Sequence, residues 1–229
     1  YHGARMIRCS LNELFHMTRK ALLGCGFSHD VADDTGWAMV IASHHQPRAA
    51  AQLAAYLAHY QAYDSARPVP ADSQRITIDG TELRLTAAPH EMLVFGAMIC
   101  DWLAISSDGG AEPHIVILTT AYMPSILLGQ LIWTESQHHG QITLSFDACQ
   151  MHADEMLIAM PASGEQSNIT EYRIEMKAGG QQKLVTETGA VDIDDTGWAR
   201  LSEFAFRSYV PESDASRLSG AGAGLTDND

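Results

Sequence analysis

The run HIVILTT at 114–120 constrains this chain most. A short, continuous apolar run suits a strand buried on both faces. Pro124 then opens the helical stretch SILLGQLIWTES, and ITLSF at 142–146 reads as a second buried strand. PHEMLVFGAMICDWLAIS, just before the first run, has the apolar spacing of a helix. Helix–strand–helix–strand in this order predicts a right-handed crossover and an α/β layer.

The flanks extend this layer. RITIDGTELRLT at 75–86 alternates around Asp79-Gly80, a hairpin signal. EMLIAMP, ITEYRIEM and KLVTET read as further, antiparallel strands, with Gly179-Gly180 as a turn. TGWARLSEFAFRSY reads as a last helix. Near the start, SLNE at 10–13 is a capping box, with Ser10 and Glu13 serving each other's amides. That helix stops at Gly24 and Gly26. Ser28 or Asp30 starts a second helix running to about Ser43, and Pro47 suits the first turn of a third, AAAQLAAYLAHY.

The expected fold is therefore a mixed α+β, or α/β, domain: a mixed sheet with flanking helices and an N-terminal helical unit. The helical unit covers 6–63, and the α/β part covers 64–229 after the linker-like DSARPVPADS. Together they form one compact domain. The opening YHGAR reads as an expression scar. The hexapeptide DDTGWA occurs at 33–38 and again at 194–199. It reads either as two helix segments with acidic starts and Trp anchors, or as an internal duplication.

Charge narrows the partners. With 14 basic and 28 acidic residues, a net of −14, the field repels nucleic acid and anionic membrane surfaces. The longest apolar stretches are interrupted, so no membrane span is expected. No apolar segment follows a basic start as in a signal peptide. Cys9, Cys25, Cys100 and Cys149 are widely separated, as reduced cytoplasmic thiols are. A small-molecule ligand is the expected partner, and a homo-oligomer stays open. The sequence does not identify a cofactor, and no metal is expected.

Three polar clusters are candidates for chemistry. In SHHQPR at 43–48, His44 is an expected general base and Arg48 an expected carboxylate holder; the alternative is a solvated turn. In TTAYMPS at 119–125, Thr120 and Tyr122 donate hydrogen bonds to a ligand at a strand end, and the amides after Met123 hold an anion; the alternative is an ordinary strand–helix turn. QHHG at 137–140 lacks the spacing of a metal motif, and only spatial convergence with other histidines makes a site there. There is no Gly-x-Ser-x-Gly elbow. GAGAG in the tail lacks the Lys-Ser/Thr of a phosphate loop, and TDND is either a cation site or a loose acidic end.

SLNEL…KALLGCGFSHDVADDTGWA at the start and YVPESDASRLSGAGAGLTDND at the finish resemble an uncharacterised bacterial family, a domain of unknown function. The resemblance implies kinship from Met6 onward, assigns no chemistry, and implies that GAGAG packs closely against backbone or ligand. The chain is also partly similar to the malate/L-lactate dehydrogenase-type oxidoreductases. Their Asp-Ser-His-Gly-Val-x-Arg motif is matched at Ser43, His44 and Arg48, with Ala42, His45 and Gln46 departing from it. Where they place a second His, Tyr122 is nearest. This resemblance implies proton transfer by His44 and substrate binding by Arg48. The expected function is a small-molecule metabolic enzyme acting on an anionic carboxylate substrate. His44 and Tyr122 are its catalytic pair, and Arg48, Thr120, Arg217, Gly220 and Gly222 contact substrate. The rival expectation is a non-catalytic subunit or small-molecule-binding protein.

Overall fold

A computed structural model describes residues 5–62, 75–105, 113–121, 123–147, 149–159, 170–178 and 189–208. The capping box forms as its residue types require. The Glu13 amide donates to Ser10 Oγ at 3.1 Å, and the Ser10 amide donates to Glu13 Oε2 at 2.8 Å. This starts helix α1 (Leu11–Gly24). Ser28 Oγ then accepts from the Val31 amide and starts α2 (His29–His45). Helix α3 (Ala49–Ala62) follows a short turn.

The helical unit also contains a strand that the sequence reading missed. Met6–Ser10 (β1) pairs antiparallel with Ala190–Asp194 (β8). Each strand is five residues long and its partner lies far away along the chain, so no local hairpin signal exists. Asp194, which ends β8, accepts from the Gly197 amide at 2.6 Å and caps α7 (Asp195–Phe206).

The main sheet holds Ile76–Asp79 (β2), Glu82–Thr86 (β3), Ile115–Thr120 (β4), Gly140–Phe146 (β5), Cys149–His152 (β6) and Thr170–Ala178 (β7). Its order is β2-β3-β4-β7-β5-β6. β3 and β4 are parallel neighbours, joined through α4 (Met92–Ile105). α5 (Ser125–His138) leads from β4 to β5, but those strands are not neighbours. β7 lies between them, antiparallel to both, so β4 and β5 run parallel one place apart. The sheet is mixed, as expected, and the fold class is mixed α/β.

Alternation sets the faces. Leu83, Leu85, Val116, Leu118, Ile142, Leu144, Tyr172, Ile174 and Met176 are buried. The intervening β3 and β7 positions Arg84, Arg173 and Glu175 are charged. Ile117 is buried as well, so β4 does carry apolar groups on both faces. Its register neighbours are Arg84 and Arg173, whose aliphatic stems can cover apolar surface.

Within EMLIAMP, residues 155–159 are not a strand. Ala153–Ala159 forms a short helix, α6, burying Ala153, Met156 and Leu157 and exposing Ile158. That spacing of three and four is helical, and an apolar run this short hid it. KLVTET, the DSARPVPADS linker and the GAGAG tail lie outside the described residues.

The two DDTGWA copies have different settings. Asp33 lies inside α2 and pairs with Arg19, whereas Asp194 is a cap. Trp37 is 39% exposed, whereas Trp198 packs partly buried against the core. What they share is a glycine at a tight contact, Gly36 against Phe15 and Gly197 against Ala50 and Ala51.

Candidate functional site in the α2/α4/α5 cleft

The sequence-predicted groups fall in three places. His44 lies in the last turn of α2, where its Nδ1–H donates to the Val40 carbonyl at 2.9 Å. That bond leaves Nε2 as the lone-pair nitrogen. It is buried with no hydrogen-bond partner among the described residues. Arg48 is exposed on the turn to α3. Between them Gln46 is buried and donates to the Leu157 carbonyl at 3.0 Å, docking the corner on α6. Thr120 is buried at the end of β4. Tyr122, Arg217, Gly220 and Gly222 lie outside the described residues.

At the start of α5, Ser125 is held by a side chain from α3. Both the Ser125 amide, at 3.2 Å, and its hydroxyl, at 2.7 Å, donate to Gln52 Oε1 from α3. Of the helix-start amides expected to hold an anion, that of Ser125 is therefore taken by a side chain. Buried Tyr172 stands beside it, hydrogen-bonded to Thr170 and to the Met123 backbone. Burial still raises its pKa, because removing water disfavours the phenolate.

A cleft of about 140 Å³ lies elsewhere, between α2, α4 and α5. From α5 come Gln130, Trp133, Thr134, Gln137 and His138, a single stripe at spacings of three and four. From α4 come Ala97, Cys100 and Asp101, and from α2 comes Asp34. Gln130 and Thr134 are buried and form the floor, while Asp34, Asp101, Gln137 and His138 are exposed at the mouth.

The floor is unusual in its hydrogen bonding. Gln130 is 3% exposed, yet neither Oε1 nor Nε2 has a hydrogen-bond partner among the described residues. Thr134 does not serve it, because its hydroxyl donates to the Gln130 main-chain carbonyl at 2.9 Å. The amide fits there only because α4 has a glycine opposite. A Cβ on Gly96 would stand 1.9 Å from Gln130 Oε1. Leaving a buried polar group unsatisfied costs about 1–3 kcal/mol, so such groups usually find protein, water or ligand.

The walls add charge and an aromatic ring. Partial burial raises the pKa of Asp34, and repulsion from Asp101, Asp30 and Asp33 adds to it. Burial pushes the Cys100 thiol up to about 12, with the carboxylates of Asp34 and Asp101 opposing ionisation and a hydrogen bond to Thr134 favouring it. A thiol so held is a poor nucleophile and a poor metal ligand. Among the described residues, no three His, Cys, Asp or Glu groups come together in a metal-holding arrangement. Trp133 is fixed by stacking on Trp37, with centroids 5.0 Å apart and planes 11° apart, and Phe15 lies against Trp37.

This arrangement can hold a small polar molecule, with Gln130 and Thr134 below, an indole at the side and negative charge above. Sequence reading missed it because a polar stripe on a helix is ordinarily a solvated face. The available signal was Gln130, Trp133, Thr134 and Gln137 at helical spacing within an otherwise apolar segment. No described helix is long and apolar enough to cross a membrane. Compared with known protein families, curated proteins and solved structures, the chain has no match, so a functional reading rests on the cleft's own chemistry.

Proposed function

We propose that the chain is a small-molecule-binding protein whose ligand occupies the α2/α4/α5 cleft. One observation carries the reading: Gln130, 97% buried, lines the cleft, and its amide, closed to solvent against Gly96, has both polar atoms unpartnered among the described residues. A ligand that bonds this amide recovers a desolvation cost already present in the free protein. No disulfide joins Cys9, Cys25, Cys100 or Cys149, which supports a reducing compartment such as the cytoplasm.

A thermal-shift panel of polar metabolites on wild type and Gln130→Leu tests this. Wild type is stabilised by about 2.7 kcal/mol when a ligand is present at a hundred times its Kd. Gln130→Leu replaces an orphaned amide by an apolar group of similar size. It is expected to fold with equal or higher Tm and to lose that shift. A shift of equal size in Gln130→Leu overturns the assignment.

A second reading draws on His44. Its Nδ1–H is committed to Val40, leaving Nε2 poised as a base, and Arg48 stands four residues on. This fits an enzyme acting on a carboxylate substrate, in line with the resemblance of Ser43–Arg48 to the malate/L-lactate dehydrogenase-type motif. His44→Ala and Arg48→Ala are expected to abolish the thermal shift given by such a substrate. Unchanged shifts in both variants end this reading.

A further inference from the structure

We propose that the contact between His59 and His90 is an acid-sensitive clasp, which holds the turn Pro89–Glu91 on α3 while the imidazoles are neutral and releases it when both are protonated.

The contact joins two elements far apart along the chain. His59 is in the last turn of α3 and is exposed. His90 is the middle residue of the 3₁₀ turn Pro89–Glu91, which runs directly into α4, and it is half-buried. The two ring centroids are 3.9 Å apart, with planes at 49°. At that separation the rings touch. Tyr60, the next residue of α3, meets His90 edge-on with centroids 6.1 Å apart. Tyr60 also meets Phe27 edge-on, at 5.3 Å.

The turn is tied elsewhere to the sheet. Glu91 accepts from the Ala88 amide at 2.6 Å and holds the Arg75 guanidinium through both carboxylate oxygens. Arg75 Nε donates to the Thr86 carbonyl, at the end of β3, at 2.9 Å. These bonds anchor the turn to the β2–β3 hairpin, and His90 presents its ring to α3.

The surrounding charges decide what acid does here. Facing His90 are His59 and Tyr60 from α3, Glu91 from its own turn and Arg75 from the hairpin. Cys100 and Asp101 of α4 line the cleft instead. Glu91 favours an imidazolium at His90, but it is matched by Arg75, which opposes one. The Tyr60 hydroxyl is buried with no hydrogen-bond partner among the described residues, and burial raises its pKa, so it stays neutral. Burial lowers the pKa of His90, and the charges of His59 and Arg75 lower it further. The native contact therefore resists a proton that the unfolded chain accepts at the ordinary value of 6.5, and it loses stability as pH falls below that value. Two imidazolium rings in contact also repel each other, and parting lets water solvate both.

The test is proton NMR of the full chain, titrated from about pH 8 to about pH 5, across the imidazole range. The two ring signals are assigned by their loss in His59→Gln and His90→Gln. In wild type the Overhauser contact between the His59 and His90 rings is expected at the upper pH and lost at the lower. The Phe27–Tyr60 ring contact is expected to persist throughout, which separates release of the clasp from unfolding. In His59→Gln, at an exposed position, the His90 midpoint is expected to move upward, because the neighbouring charge is gone. A His90 midpoint that stays put in His59→Gln overturns the proposal. A His59–His90 contact that persists below both midpoints overturns it too. Simultaneous loss of both ring contacts is global unfolding and likewise overturns a local clasp.

Discussion

Gly129→Ala is expected to destabilise the fold by about 3 kcal/mol, read as a lowered urea midpoint at constant slope. A Cβ at Gly129 would lie 2.3 Å from the Ala38 carbonyl oxygen and 2.9 Å from its carbon. These are backbone atoms of α2, so no rotamer change makes room. Alanine gains about 1 kcal/mol over glycine in helix propensity. That gain is smaller than the cost of forcing α2 and α5 apart in a close-packed interior. The two helices also carry Asp34 and Gln130 across the cleft, so ligand binding should fall with stability. A midpoint at or above that of wild type would show that the crossing is looser than described.

Glu135 gives the second large effect. It is buried in α5, where one carboxylate oxygen accepts from the Ile142 amide and the other has no hydrogen-bond partner among the described residues. Burial pushes its pKa up to about 7 from an ordinary 4.5, with repulsion from Asp154 adding to the rise and the Ile142 bond opposing it. Between those values the native state holds a proton that the unfolded chain releases. Stability therefore falls as pH rises through this window and levels off above about 7. At about 1.4 kcal/mol per pH unit, the fall attributable to this one group is about 3 kcal/mol at most. Glu135→Gln keeps an oxygen for Ile142 and removes the titration. Its advantage over wild type should be small at pH 5 and about 2–3 kcal/mol at pH 8, both measured by chemical denaturation. Equal differences at the two pH values would refute the assignment.

The sequence carried the layer order well because its signals are local. A capping box, a strong turn dipeptide and a buried apolar run each act over a few residues, and Ser10–Glu13, the β2–β3 hairpin and β4 all form as read. What was illegible depends on distant partners. β1 finds β8 nearly the whole chain away, and β7 enters between β4 and β5 only after both exist in sequence. Periodicity also failed where runs were short, as at α6.

The site was harder still. Residue type drew the eye to His44 and Arg48, but their surroundings depend on tertiary packing, which buries Nε2 of the first and exposes the second. The strand-end turn looked open until Gln52 of α3 proved to cap it. Gln130 looked like one more polar helix residue. Its meaning appears only when Gly96 of another helix admits its amide and leaves it without a partner there.

The side-chain amide resonances of Gln130 test the central claim most directly. They are assignable in a nitrogen–proton correlation spectrum by their disappearance in Gln130→Leu. Titration with a ligand that stabilises the wild type in the thermal-shift panel should shift both protons and saturate together with that stabilisation. Resonances that stay fixed while a ligand stabilises the protein would place binding elsewhere and contradict the account.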